Sequence, residues 1–189
     1  MNKQQELNNS NEEILNCKIC PSNKSGKAVV GEGDPNANVV FVGEAPGKQE
    51  AQEGRPFIGR SGKLLRSLIR EIGLREEDVY ITSPVKYLPN GKDGTPGGTP
   101  TSKDIAHGRI HLMKQLEIIQ PKFVVLLGRV AAEGVLQKKV FVSKEHGHVI
   151  AEKDGIHYFL TIHPAAALRF ATKYKPLLEE DFRYLQTLL

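Results

Sequence analysis

No run of the 189-residue chain approaches the ~20 consecutive apolar residues that a helix needs to cross a bilayer, and a helical membrane protein is thereby excluded. The stretch MNKQQELNNSNEE at the amino terminus is polar and lacks the apolar core of a secretory signal, so the expected location is the cytoplasm. Cysteine is nearly absent. Cys17 and Cys20 are the only two, too few for a disulfide framework, and in a reducing compartment such a pair reads as a metal or redox pair before a structural disulfide. Tryptophan is missing altogether, which is unusual and by itself rules out nothing. Neither sign of charge dominates: 26 Lys and Arg stand against 22 Asp and Glu, a net charge of +4 with a pI of about 9.0. That balance permits a nucleic-acid partner without demanding one.

What is present is an ordinary globular composition, 39% hydrophobic and 25% charged. A chain of this length suits one domain over residues 1–189 that buries roughly 70% of its unfolded surface, with residues 1–37 forming an amino-terminal helix and CxxC segment packed on it. Four short apolar runs, Val39–Val42, Val79–Thr82, Phe123–Leu127 and Tyr158–Ile162, read as buried strands. Between them lie helical patterns: Gln5–Asn16, a helix capped by Ser61 with Leu64, Leu65, Leu68, Ile69 and Ile72 on one face, one from Thr101 or Ser102 to Ile119, Val130–Leu136, and Tyr174–Leu189. Residues 89–100 form a loop rich in Gly and Pro, and Val140–Ile150 is either irregular or a hairpin. Strands apolar on both faces and alternating with amphipathic helices imply a three-layer α/β/α sandwich with a central four-stranded parallel sheet.

Ligands of such sheets gather beyond the carboxyl ends of the strands. Those ends carry Gly43-Glu44-Ala45-Pro46-Gly47, Ser83-Pro84-Val85-Lys86, Gly128-Arg129 and His163-Pro164. One rim thus collects a carboxylate, a histidine, glycines and cations, which is a credible active site. Each part has a plain alternative: the glycine-bounded turn as a tight connection, His163 as a loop histidine, Phe57 as a buried anchor.

The segment GEAPGKQEAQEGRPFIGRSG resembles the first motif of the family 4 uracil-DNA glycosylases, and His163-Pro-Ala is similar to their terminal histidine motif. VYITSPVKYLP and PKFVVLLGRVA lie between at matching spacing, and the likeness runs from about Cys17 onward. The resemblance implies a DNA-repair glycosylase that flips uracil out of the helix and cleaves its N-glycosidic bond. His163 would donate to uracil O2 as charge develops, and Glu44 would orient the water or offset the cationic sugar. Gly43, Ala45, Glu50, Phe57 and Ser83 would contact the base, Phe57 as its stacking plate. Arg55, Arg60, Lys63, Lys86 and Arg169 would meet phosphates, and Leu168 is either a wedge in the base stack or a core residue.

Two departures stand out. Where the family has an asparagine that reads the base, this chain has Ser83, whose hydroxyl cannot reproduce an amide's paired donor and acceptor; reading then falls to backbone groups or another side chain such as Asn90. The family's iron–sulfur cluster takes four cysteines, and here the later two positions are Tyr87 and Gly108, so a full cluster is excluded. His107 and His111, four apart on a helix, could join Cys17 and Cys20 in a zinc site; otherwise the pair is metal-free or holds a residual cluster. The chemistry needs no cofactor either way. The expected partner is DNA, the expected state a monomer, and a sliding clamp is not readable. Competing readings are a glycosylase for hypoxanthine or xanthine, a hydrolase of free nucleosides, and a non-catalytic binder of damaged or single-stranded DNA.

Overall fold

The computed structural model describes residues 2–189. In chain order the elements are α1 (Lys3–Asn16), β1 (Lys24–Ser25), β2 (Glu32–Gly33), β3 (Val39–Val42), α2 (Lys48–Glu53), α3 (Arg60–Glu71), a 3-10 turn at Glu76–Asp78, β4 (Tyr80–Thr82), β5 (Leu88–Pro89), α4 (Ser102–Ile119), β6 (Phe123–Leu127), α5 (Arg129–Leu136), α6 (Val142–Glu145), β7 (His148–Lys153), β8 (Ile156–Thr161), α7 (Pro164–Arg169) and α8 (Ala171–Leu188). The main sheet runs β2-β4-β3-β6-β8-β7. Its four inner strands are parallel, with β3 at the centre between β4 and β6. The expectation of four strands is therefore correct for the interior and short at the edges: β2 and β7 add antiparallel margins. Neither edge strand carries an apolar run, because an edge buries little; β2 is only Glu32–Gly33 and β7 is half exposed. The ambiguous Val140–Ile150 segment resolves into α6 followed by β7.

Alternation along β3 divides the core. Val40 and Val42 join Val124, Leu126 and Leu160 beneath α1, α4 and α5, with Leu7, Leu112, Leu116 and Val135 closing that side. Val39 and Phe41 face the other way, with Val125, Leu127 and Phe159, and meet Leu65, Leu68 and Ile69 of α3 and Leu178, Phe182 and Leu185 of α8. All four β3 side chains are buried, which is why that strand reads as a continuous apolar run.

Helix starts differ in detail from the sequence pattern. Thr101 caps α4 through a reciprocal capping box with Asp104. In contrast, Gly59 and not Ser61 caps α3, and α8 begins at Ala171, directly after α7. The Gly- and Pro-rich loop after β5 is an ordered turn: Gly91 N–H donates to Thr95 O at 2.7 Å, and Asn90 pairs with Pro96. Among the described residues no helix is long and apolar enough to cross a membrane.

Candidate active site

A cleft of about 460 Å³ opens at the carboxyl ends of the parallel strands, lined by Glu44, Ala45, Pro46, Lys48, Glu50, Phe57, Ser83, Leu88, Pro89, Gly97, Gly98 and His163 among others. That volume suits a small polar ligand held by a few convergent groups. Glu44 follows β3, Ser83 follows β4 and His163 follows β8. Residues far apart in sequence meet because parallel strands end on one rim.

His163 is the N-cap of α7, and its Nδ1 accepts the Ala165 N–H at 3.1 Å. An acceptor nitrogen carries no proton, so the neutral ring keeps its hydrogen on Nε2. Burial drives the imidazole down to about 4, and at neutral pH the ring is an uncharged donor. Gly128, at the end of β6, makes room for it. Its φ is +87°, and a Cβ there would lie 2.9 Å from the His163 Cβ. Any side chain at 128 would be strained and would press on the histidine.

Glu44 is half-buried. Burial raises its carboxyl above the ordinary range, and the Arg129 guanidinium partly offsets this. Phe57 sits beside the histidine, ring centroids 6.1 Å apart, in a left-handed backbone conformation with φ +51°. It is braced from behind. Arg66 Nε donates to Phe57 O at 2.9 Å and its other nitrogens reach Pro56 O, Glu32 and Glu76. Glu50 Oε1 accepts the Ile58 and Gly59 N–H groups at 3.0 and 2.8 Å.

Several expectations change here. Glu50 lines the cleft, but its carboxylate is committed to backbone amides and braces the Phe57 loop. Gly43 does not line the cleft: its N–H donates to Thr82 O, and its missing side chain admits the Phe57 ring, whose carbons a Cβ would meet at 2.6 Å. Lys86 cannot meet phosphate. It is 1% exposed, its Nζ donates to Val30 O, Thr82 Oγ1 and Gln115 Oε1, and burial brings it down to about 7. Asn90 does not line the cleft either; its Oδ1 accepts the Ser25 hydroxyl at 2.7 Å. Ser83 lines it, with its hydroxyl donating to Val85 O at 2.9 Å.

A second groove adjoins the first and shares Lys48, Glu50, Ser61 and Ala165 with it; Arg60, Leu168 and Arg169 are among its other lining residues. Leu168 is half-buried, whereas its neighbour Ala167 is the core residue. Arg60 and Arg169 are exposed, as is Lys63. Arg55 is also exposed but lies off the groove, paired with Glu32 at 2.9 Å. Sequence reasoning placed Arg129 on the rim without giving it a role, and it overlooked Lys48 and Arg66. Nothing in the spacing marks Lys48 or Arg66, since each is one charge among many on a helical face.

Away from the cleft, Cys17, Cys20, His107 and His111 bring one candidate ligand atom each within 4.8 Å of one another. The group could hold a metal ion. Tyr87 stands near the cysteines, its hydroxyl pushed up by burial and by their charge.

A sequence model of the Uracil DNA glycosylase superfamily matches residues 30–186. The chain belongs to that superfamily. Within it, the type-4 uracil-DNA glycosylase of Sulfurisphaera tokodaii is 40% identical over 188 residues, covering 94% of this chain and 82% of the relative. The type-4 enzyme of Thermotoga maritima is 41% identical over 160 residues, 84% of this chain and 81% of its own length. That of Archaeoglobus fulgidus is 38% identical, with 90% and 84% covered. The superfamily match spans all four rim segments, from β3 through α7.

Proposed function

We propose that the chain is a monofunctional uracil-DNA glycosylase of base excision repair, hydrolysing the N-glycosidic bond of an extruded uracil and leaving an abasic site. One observation carries the reading: a carboxylate, a neutral imidazole donor and an aromatic plate line a single cleft, in a chain related over most of its length to type-4 enzymes.

The geometry supports a division of labour. Phe57 stacks on the flipped base. As the C1′–N1 bond lengthens, negative charge moves onto the uracil ring, and the His163 Nε2–H donates to O2. A neutral donor suits a leaving anion, because no proton need be transferred to it in the transition state. The deoxyribose becomes oxocarbenium-like. Glu44, ionised, faces that positive charge and takes a proton from the water that adds to C1′. Half-burial keeps the carboxylate poorly hydrated and strengthens its pull on the cation. No step uses a metal or an organic cofactor.

Ser83 offers a basis for reading the base. A carbonyl oxygen only accepts, so the bond to Val85 O uses the single hydroxyl proton and leaves lone pairs toward the cleft. Those accept the N3–H of uracil and repel the N3 lone pair of cytosine. The groove holding Lys48, Arg60, Leu168 and Arg169 supports a polymer substrate, with Leu168 filling the gap in the stack and the cations on phosphate. In this reading the enzyme acts on DNA as a cytoplasmic monomer, and α1 packing on α4 supports a single domain over residues 1–189.

The test is incubation of purified protein with labelled oligonucleotides bearing uracil, hypoxanthine, xanthine or thymine opposite each base, followed by alkaline cleavage at abasic sites. Strand breaks at uracil are expected, lost in Glu44→Gln and His163→Gln. Ser83→Ala should narrow the preference for uracil over cytosine and Ser83→Asn retain it. Release only of hypoxanthine or xanthine would move the substrate. Binding without any base release, indifferent to His163→Gln, would leave a DNA-binding protein instead.

A further inference from the structure

We propose that Cys17, Cys20, His107 and His111 hold one tetrahedral zinc ion that clamps the α1–β1 connection to α4, in place of the iron–sulfur cluster that the family resemblance implies. The four-cysteine cluster does not fit this chain, which has two cysteines. The position of one lost ligand explains itself sterically. Gly108 presses α4 against the segment after β4: a Cβ there would lie 2.0 Å from Pro84 O. No cysteine can stand at 108 while the helix keeps this seat. The histidines one residue before and three after present their rings to the cysteine loop instead, centroids 5.5 Å apart, as i and i+4 on one helix face.

The donor set identifies the ion. Two thiolates and two imidazoles in C-x2-C and H-x3-H spacing are a zinc set, neither hard enough for magnesium or calcium nor carboxylate-rich. With metal–sulfur and metal–nitrogen distances near 2.3 and 2.0–2.1 Å, the edges of a tetrahedron are about 3.3–3.8 Å, inside the 4.8 Å envelope of the four atoms. A two-iron cluster would set the cysteine pair and the histidine pair on different irons, farther apart, yet Cys17 Sγ lies 3.1 Å from His107 Nε2. A second observation is independent of the spacing. His111 Nε2 is buried with no hydrogen-bond partner, an arrangement native structures avoid unless a ligand completes it.

The clamp has a purpose in the fold. Cys17 caps the end of α1, and a few residues after Cys20 the chain enters β1, which pairs with Leu88–Pro89, two residues of the cleft wall. Fixing the loop to α4 therefore steadies that wall, and the ion takes no part in bond cleavage.

Protein purified without a polyhistidine tag, from cells supplied with both zinc and iron, is to be assayed for zinc, iron and acid-labile sulfide. One zinc per chain and neither iron nor sulfide are expected. Replacement by Co²⁺ should give the intense visible bands of a tetrahedral thiolate site, a wild-type measurement independent of any variant's folding. In His107→Ala and His111→Ala, zinc affinity by chelator competition should fall more than about 100-fold, since losing even an outer-shell partner costs 10–100-fold. Iron with sulfide, a Cys17–Cys20 disulfide, a metal-free protein that binds no Co²⁺, or full zinc retention by the double histidine variant would each overturn the assignment. None of these outcomes depends on base release, so they leave the glycosylase reading to its own test.

Discussion

The two groups at the centre of the cleft are tuned in opposite senses by the same cause. Desolvation raises Glu44 and lowers His163, because burial disfavours whichever form is charged. Glu44 must be ionised to act, so kcat/KM should fall on the acid side through a pKa above the usual carboxylate value. Arg129→Gln removes the cation that lowers Glu44 and should move that limb to higher pH; Glu44→Gln should abolish the limb and cost on the order of 10²–10⁴ in rate. A pH–rate series on single-turnover cleavage measures both. His163 leaves a mark on stability as well. Its folded value near 4 lies below the unfolded value of 6.5, so above pH 6.5 neither state is protonated and nothing is lost. As pH falls below 6.5 the unfolded chain takes up a proton that the folded ring refuses. Stability should drop by about 2 kcal/mol at pH 5, approaching about 3 kcal/mol below pH 4. Urea titrations of wild type and His163→Gln across pH 7 to 4 isolate the effect as the difference between the two slopes.

At the level of elements, the cleft depends on a loop made rigid by charge. The segment from Gly54 to Gly59 places Phe57 at positive φ, a conformation that a bulky side chain adopts only when its surroundings enforce it. Arg66 on α3 supplies much of that enforcement by holding two consecutive carbonyls, and Glu32 and Glu76 fix the guanidinium in turn. Arg66→Ala should therefore loosen the Phe57 plate without touching substrate. We expect kcat to fall by roughly 10²-fold, the scale of a 1 Å misplacement, with near-wild-type affinity for abasic DNA. Arg66→Lys should rescue little, since an ammonium cannot span both carbonyls and both carboxylates. Equal losses in abasic-site affinity and in kcat would point instead to general unfolding of α3.

Over the whole molecule, a net charge of +4 is modest, so DNA affinity must rest on where the cations lie. Lys48, Arg60 and Arg169 line the groove beside the cleft, whereas Lys86 is buried and Arg55 is paired off it. Neutralising Arg60 or Arg169 should weaken binding across all sequences and lower the slope of log K against log salt by about 0.7–0.9 per contact. Lys63→Gln, away from both grooves, should leave the slope unchanged. Fluorescence anisotropy over a salt series decides the matter.

The chain's own order of apolar runs and helical faces was enough to specify a parallel α/β sheet. Strand β3 and helix α3 are legible because burial on both faces, or on one stripe, is written directly in residue type. The rim was legible for the same reason: once strands are parallel, Glu44, Ser83 and His163 must share an end. Edge strands β2 and β7 were not, since a half-exposed strand needs no apolar pattern. Tertiary structure alone decided how each charge is solvated and paired. Lys86 and Arg129 both follow strands, yet the first is sealed beneath Val30 and Gln115, whereas the second is exposed, paired with Glu133, and close enough to Glu44 to lower its carboxyl. Only packing fixes solvation, and solvation sets what a charged group can do.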